Sequence, residues 1–137
     1  MASKPKDKFF KKHVKDQAEA KKAVNNRYPK FSFEFCFGSK RGINHASVNT
    51  KKVTLEKMIL LSQNTWHEIK ELPREQSFEK IKKSSFNSLP GLPDKFKGIE
   101  KIDVFRLPSK VGRLIGYIEE DTFFVVWIDT KFDMYDH

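Results

Sequence analysis

The chain has 137 residues, 13 % of them aromatic with Phe dominant, and a formal net charge of +9 at pH 7. That length suits one domain with a real core, and that aromatic content excludes a wholly disordered chain. No run approaches the roughly 20 apolar residues of a membrane span, and the opening "MASKPKDKFFKKHVKD" lacks the apolar stretch of a secretory signal, so a cytoplasmic protein with no membrane partner is expected.

The charge is uneven. Residues 1–30 hold ten Lys or Arg against three acids, which is +7 of the +9. Phe10, Val14 and Ala18 fall at i, i+4 and i+8 among the lysines, the narrow stripe of a basic helix. Asn25-Asn26 offers a helix stop and Tyr28-Pro29 forces extension. The expected organisation is a basic arm over 1–28 and a single domain over 29–137. Such an arm suits a phosphate-rich partner, an acidic protein or a solvating role. Its candidate nucleic-acid contacts are Lys8, Lys11, Lys12, Lys15, Lys21, Lys22 and Arg27, and Phe9 and Phe10 can stack on bases.

In "FSFEFCF", Phe31, Phe33, Phe35 and Phe37 alternate with Ser32, Glu34 and Cys36. This strict period of two predicts a strand with one aromatic face. Cys36 is the single cysteine, so an internal disulfide is excluded and a buried, inert thiol in a reducing compartment is expected. "GSKRG" reads as a turn, and Ile43–Val48 as a returning strand. In "TLEKMILLSQNTWHEIKEL" the spacing of Leu55, Met58, Ile59 and Leu61 predicts a helix. The capping box Thr65-x-x-Glu68 implies a break near 62–64 or a second helix, which Pro73 ends. Phe78, Ile81 and Phe86 are spaced for another short helix, and Leu89–Gly98, with Pro90, Gly91, Pro93 and Gly98, for a loop.

Ile102–Leu107, Val111–Glu119 and Thr122–Asp129 are strand candidates joined by tight links, hence an antiparallel meander. The last is apolar on both faces, which places it inside the sheet. The expected fold class is α+β: an antiparallel meander covered by helices on one face, with a basic helical N-terminal arm.

Two resemblances follow. "FSFEFC", "LSQNTWHEIK" and "VFRL…RLIGYIEEDTFFVVWIDTKFDMYDH" resemble a family of small bacterial and phage-encoded proteins. Its members share a Phe-Ser-Phe strand, a Leu-Ser-x-x-Thr-Trp helix and a Trp-[Ile/Leu]-Asp segment ending in Leu/Met-Tyr-Asp-His. That resemblance covers roughly residues 29–137 and implies no activity. The order of helices and then strands, with Arg106, Arg113 and Tyr135, is also similar to RelE/ParE-type toxin domains. That similarity implies a helix pair leaning on a meander and a target in messenger RNA on the ribosome or in gyrase. The chain departs from many ribonuclease members of that type by carrying Asp129, Asp133 and Asp136 where they are basic.

There is no phosphate-binding glycine loop, nucleophile elbow or zinc spacing, and neither a metal nor a cofactor is expected. RNA cleavage needs only activation of a 2′-OH, cationic stabilisation of the phosphorane and protonation of the leaving oxygen. Arg106 and Arg113 flank the Pro108–Lys110 turn and can face one groove, holding phosphate with Lys131. Tyr135 or His137 is the proton-transfer candidate, and Arg113 the cationic catalytic one. The alternatives are binding without chemistry, or a purely structural edge in which Tyr135 packs on the sheet and Asp129 forms an Asx turn. The expected activity is that of a RelE-like toxin acting on RNA or the ribosome, possible as a metal-independent endoribonuclease. The alternative is a non-enzymatic interaction protein, an antitoxin or inhibitor, that holds an acidic partner.

Overall fold

The computed structural model describes the backbone of residues 5–37 and 39–136, and the side chains of residues 12, 14–37 and 39–136. Among the described residues three α-helices, α1 (Pro5–Asn25), α2 (Val48–Ser62) and α3 (Trp66–Glu71), accompany five strands. The strands are β1 (Lys30–Ser32), β2 (Phe78–Lys82), β3 (Lys101–Arg106), β4 (Arg113–Glu119) and β5 (Thr122–Asp129), in the sheet order β1-β5-β4-β3-β2. β2 to β5 pair antiparallel, and β1 adds in parallel to β5. The fold is α+β, as the alternation of patterns predicts. Among the described residues no helix is long and apolar enough to cross a membrane.

Both faces of the sheet are covered. On one, Phe105, Leu114, Phe123 and Ile128 pack with Leu61, Trp66 and Ile69 of α2 and α3. On the other, Val104, Ile115, Tyr117 and Trp127 pack beneath Phe96, Met134 and Tyr135. The helices therefore take one face, and the 83–100 loop with the segment after β5 takes the other. The two-sided apolar character of β5 follows from this, since it lies between β1 and β4. Indole N–H groups tie both layers down: Trp66 donates to the Asp121 carbonyl at 3.0 Å and Trp127 to the Pro90 carbonyl at 2.6 Å.

One irregularity sets the register. Ile115 pairs with Trp127 but Gly116 with Val125, so Val126 is an extra residue, a β-bulge. A Cβ on Gly116 would lie 1.8 Å from the Phe124 carbonyl oxygen, so only glycine fits there. Past the bulge the alternation reverses, and Trp127 and Asp129 share the face of Ile115 and Arg113.

Several local expectations change. The aromatic strand is short: after Ser32 the Cys36 amide bonds the Phe33 carbonyl in a turn. Phe31 and Phe33 join the helix-side core, Phe35 crosses the sheet edge to the other core, and Phe37 is exposed. Ile43–His45 is a single 3₁₀ turn, not a strand, because the Ile43 amide bonds back to the Cys36 carbonyl at 2.8 Å. Ser47 then caps α2 through the Thr50 amide. Phe78 and Ile81 lie on strand β2, not on a helix, and face opposite cores. The second helix is real, and both hydrogen bonds of the Thr65/Glu68 capping box are present. Leu55 and Ile59, expected on the inner face of α2, are exposed. That helix buries Thr50, Thr54 and Lys57 along with Leu61, and the Lys57 ammonium donates to the Gln76 carbonyl in the 73–77 turn at 2.9 Å.

Candidate functional site

Three of the residues singled out in the sequence converge. Arg106 ends β3 and Arg113 starts β4, and the two are direct partners in the ladder. Arg113 is also paired with Asp129 on β5. The chain after β5 folds back over this end of the sheet. Asp129, fully buried, organises the return: its carboxylate accepts the Lys131 amide at 3.2 Å and the Met134 amide at 3.1 Å, and pairs with Arg41 at 3.1 Å. Arg41 also reaches Asp133 at 2.8 Å. The Asn87 amide donates to the Met134 carbonyl, and its side chain to that of Asp133, so the segment is stitched to the 86–87 loop as well. Asp129 is thus an Asx-type turn residue and an ion-pair partner together.

The return lays two rings on one cation. The Arg113 guanidinium carbon lies 4.3 Å from the Tyr135 ring centre and 4.7 Å from that of Phe132, a cation–π arrangement. Phe132 holds this place from a left-handed backbone conformation, φ 57°. On its own side Tyr135 meets Phe86, with centroids 4.9 Å apart. Arg106 pairs with Glu79 at 3.2 Å, and Glu79 also takes Arg74 at 2.7 Å.

A cleft of about 510 Å³ opens here, lined by Arg106, Lys110, Arg113, Phe132 and Tyr135, with Asp136. Arg106 is about one-third exposed and Lys110 is exposed, so these two present cationic N–H groups to the cleft, while Arg113 is only 2 % exposed. The guanidinium of Arg106 carries five donors in a planar fork, so one carboxylate partner leaves donors for an anion. Burial, above all, raises the Tyr135 phenol; Arg113 and Arg106 oppose the shift, and Glu79 and Asp129 add to it. At neutral pH Tyr135 is therefore a neutral donor, suited to giving a proton rather than taking one.

The other sequence candidates lie elsewhere. Lys131 is exposed beside Lys40, Arg41 and His45 around a separate hollow of about 280 Å³, so it does not join Arg106 and Arg113. Lys12, Lys15, Lys21 and Lys22 are exposed on α1, and Arg27 sits 3.7 Å from Asp121. His137 and the side chains of Lys8, Phe9, Phe10 and Lys11 lie outside the described residues. The C-terminal end of α1 is anchored to α3, since the Arg27 carbonyl accepts the Trp66 amide and Lys70 reaches Asn25 at 2.7 Å, and Arg27 and Lys30 both lie beside Asp121 of the β4–β5 turn. The end of the arm and the cleft thus stand at opposite ends of β4, about 20 Å apart at strand rise. His67 pairs with Glu71 along α3 at 3.4 Å. Cys36 is buried and its thiol is pushed up to about 11 by burial, as an inert core residue should be. Among the described residues no cluster of three or more His, Cys, Asp or Glu is placed to hold a metal.

Sequence reasoning missed Lys110, Phe132, Glu79 and Arg41. Nothing in periodicity marks them, because a turn, a left-handed residue, an edge strand and a loop bring them in. No family model, curated protein or solved structure matches the chain.

Proposed function

We propose that this protein is a small cytosolic RelE-like toxin directed at RNA or the ribosome, with its contact to RNA phosphate in the Arg106–Arg113 cleft. The observation that carries this reading is the convergence of Arg106, Lys110, Arg113 and Tyr135 on one end of one sheet face. Arg106 and Lys110 would meet a phosphate oxygen, and Arg113 would add positive field from behind. If the site cleaves, the 2′-OH attacks the adjacent phosphorus and yields its proton to water, the neutral Tyr135 phenol protonates the leaving 5′-oxygen, and the arginines stabilise the phosphorane charge on the way to a 2′,3′-cyclic phosphate. The lysines of α1 would supply salt-dependent affinity along the same strand.

A second reading is favoured by one specific fact. Tyr135 is 2 % exposed, so a substrate reaches its oxygen only when the segment after β5 opens. On that reading the protein binds without cutting, as a non-enzymatic antitoxin or inhibitor with an acidic protein or nucleic-acid partner.

Induced expression in a bacterial host tests both. Growth arrest with fragmented messenger RNA, relieved by Arg106→Ala and by Tyr135→Phe, is the expected result for a cleaving toxin. Arrest relieved by Arg106→Ala but not by Tyr135→Phe, with intact RNA, selects a toxin that binds without cutting. Harmless expression with intact RNA in a translating extract would sink the toxin reading and leave the antitoxin or inhibitor reading.

A further inference from the structure

A second cleft adjoins the first. It has a volume of about 810 Å³ and lies across the Pro108–Lys110 turn. The two clefts share Arg106, Leu107 and Lys110. Its inner wall holds Lys57 of α2, which is 5 % exposed. The Lys57 ammonium donates to the Gln76 carbonyl at 2.9 Å, and among the described residues it forms no ion pair. A buried ammonium has three donors and needs acceptors for all of them. Desolvation lowers the Lys57 pKa from its ordinary value, so an anion arriving here would relieve a cost the fold already carries. Leu60, Leu107 and Pro108 give the cleft apolar surface, and Glu56 and Glu75, its two acids, are both exposed and screened by water.

The turn between the clefts is strained. Ser109 and Lys110 have φ of 57° and 55°, two successive non-glycine residues in the left-handed region, at about 1 kcal/mol or more each. Such strain concentrates at ligand clamps. Here it raises Lys110 on the ridge that both clefts share.

We infer that the phosphate-binding surface continues over the Pro108–Lys110 ridge into the second cleft, where Lys57 receives a second phosphate of the same single RNA strand. The inference rests on the RNA-directed reading above and extends it: the substrate is an extended single strand held at both sides of the ridge. The apolar wall formed by Leu60, Leu107 and Pro108 lies where a base can pack.

The test is fluorescence anisotropy of a labelled oligouridylate titrated with the full chain at a series of salt concentrations. Each phosphate contact on a single strand contributes about 0.7 to the slope of log K against log salt. Lys57→Gln keeps a donor for the Gln76 carbonyl and removes the charge. It should weaken binding several-fold and flatten the slope by about 0.7, whereas Lys57→Arg should keep the slope. Leu60→Asp, at a half-exposed position on the same wall, should weaken binding without disturbing the fold, and it carries the test if Lys57→Gln does not fold. If Arg106→Gln flattens the slope while Lys57→Gln leaves it unchanged and Leu60→Asp leaves the affinity unchanged, Lys57 serves only to hold the 73–77 turn. The second subsite then falls while the RNA reading stands. If the wild-type chain does not bind the oligonucleotide, both fall.

Discussion

Asp129→Ala is the substitution that should reveal how the cleft is built. The wild-type carboxylate is fully buried and accepts two well-placed backbone amides, those of Lys131 and Met134, at 3.2 and 3.1 Å. Hydrogen bonds to a charged group contribute about 1.5 kcal/mol each at the lower end of their range, so losing these two costs about 3 kcal/mol. A third amide, that of Asp133, lies at 3.4 Å and is too long to count for much. The Arg41 contact adds little to the loss, because its guanidinium is about a quarter exposed and keeps Asp133 at 2.8 Å. For a domain of this size the loss corresponds to a fall in Tm of roughly 10 °C. Asp129→Asn retains one acceptor oxygen and should lose about half as much. Guanidinium denaturation followed by circular dichroism and by tryptophan fluorescence measures both variants. A loss below about 1 kcal/mol for the alanine variant would refute the reasoning, because it would mean that the return over Arg113 is held by Arg41–Asp133, Asn87 and the Phe86–Tyr135 contact without the Asp129 carboxylate.

Three more expectations follow from the core. Gly116→Ala places a methyl group 1.8 Å from the Phe124 carbonyl oxygen, so it should cost about 3 kcal/mol or more or abolish soluble expression; a wild-type melting curve would contradict this. Burial raises Asp103 above its ordinary value of 3.8, against the opposing pull of Lys80 and the Ile118 amide. The folded state then holds the proton to higher pH than the unfolded chain, so stability contributed by this group is full below about pH 4 and declines as pH rises through the raised pKa. Asp103→Asn should flatten that decline in pH-dependent denaturation, and an unchanged slope would count against it. The Cys36 thiol, raised to about 11, should resist a thiol reagent at pH 8 until the protein unfolds; rapid modification of the native protein would show the thiol to be accessible.

The meander and the capped helix were the most legible parts of the sequence. Strands β3 to β5 are linked tightly enough that only one pairing is open to them, and the Thr65/Glu68 box announces its helix chemically. Helix α2 was legible as an element but not in its orientation, because its buried side mixes Leu61, which packs on the sheet, with Thr50, Thr54 and a Lys57 that bonds the Gln76 carbonyl, and so shows no clean apolar stripe. The Phe31–Phe37 stretch misled for a related reason. Its period is right for a strand, yet the chain turns at the sheet edge, and aromatic residues are wanted by both cores there. Arg106, Arg113 and Tyr135 could be brought together from sequence since two belong to adjacent strands and the third follows the next. Lys131 could not be placed, because the Asp129 turn sends it to the far side. Lys110 and Phe132 needed left-handed backbone angles that no side-chain pattern encodes.

The extra residue in β5 acts as a change of parity. Before Val126, odd-numbered residues of the strand face the helices; after it, odd-numbered residues face the opposite core. Asp129 belongs to the site only through that switch, and with it the return of the chain over Arg113. A single-residue deletion between Phe124 and Trp127 would leave hydrophobic content almost unchanged, yet it would exchange the destinations of Trp127, Ile128 and Asp129. The carboxylate would then point into the helix-side core while the site lost its organiser. Length in this strand is therefore constrained more tightly than composition: substitutions among Val, Ile and Leu are tolerable where a loss or gain of one residue is not.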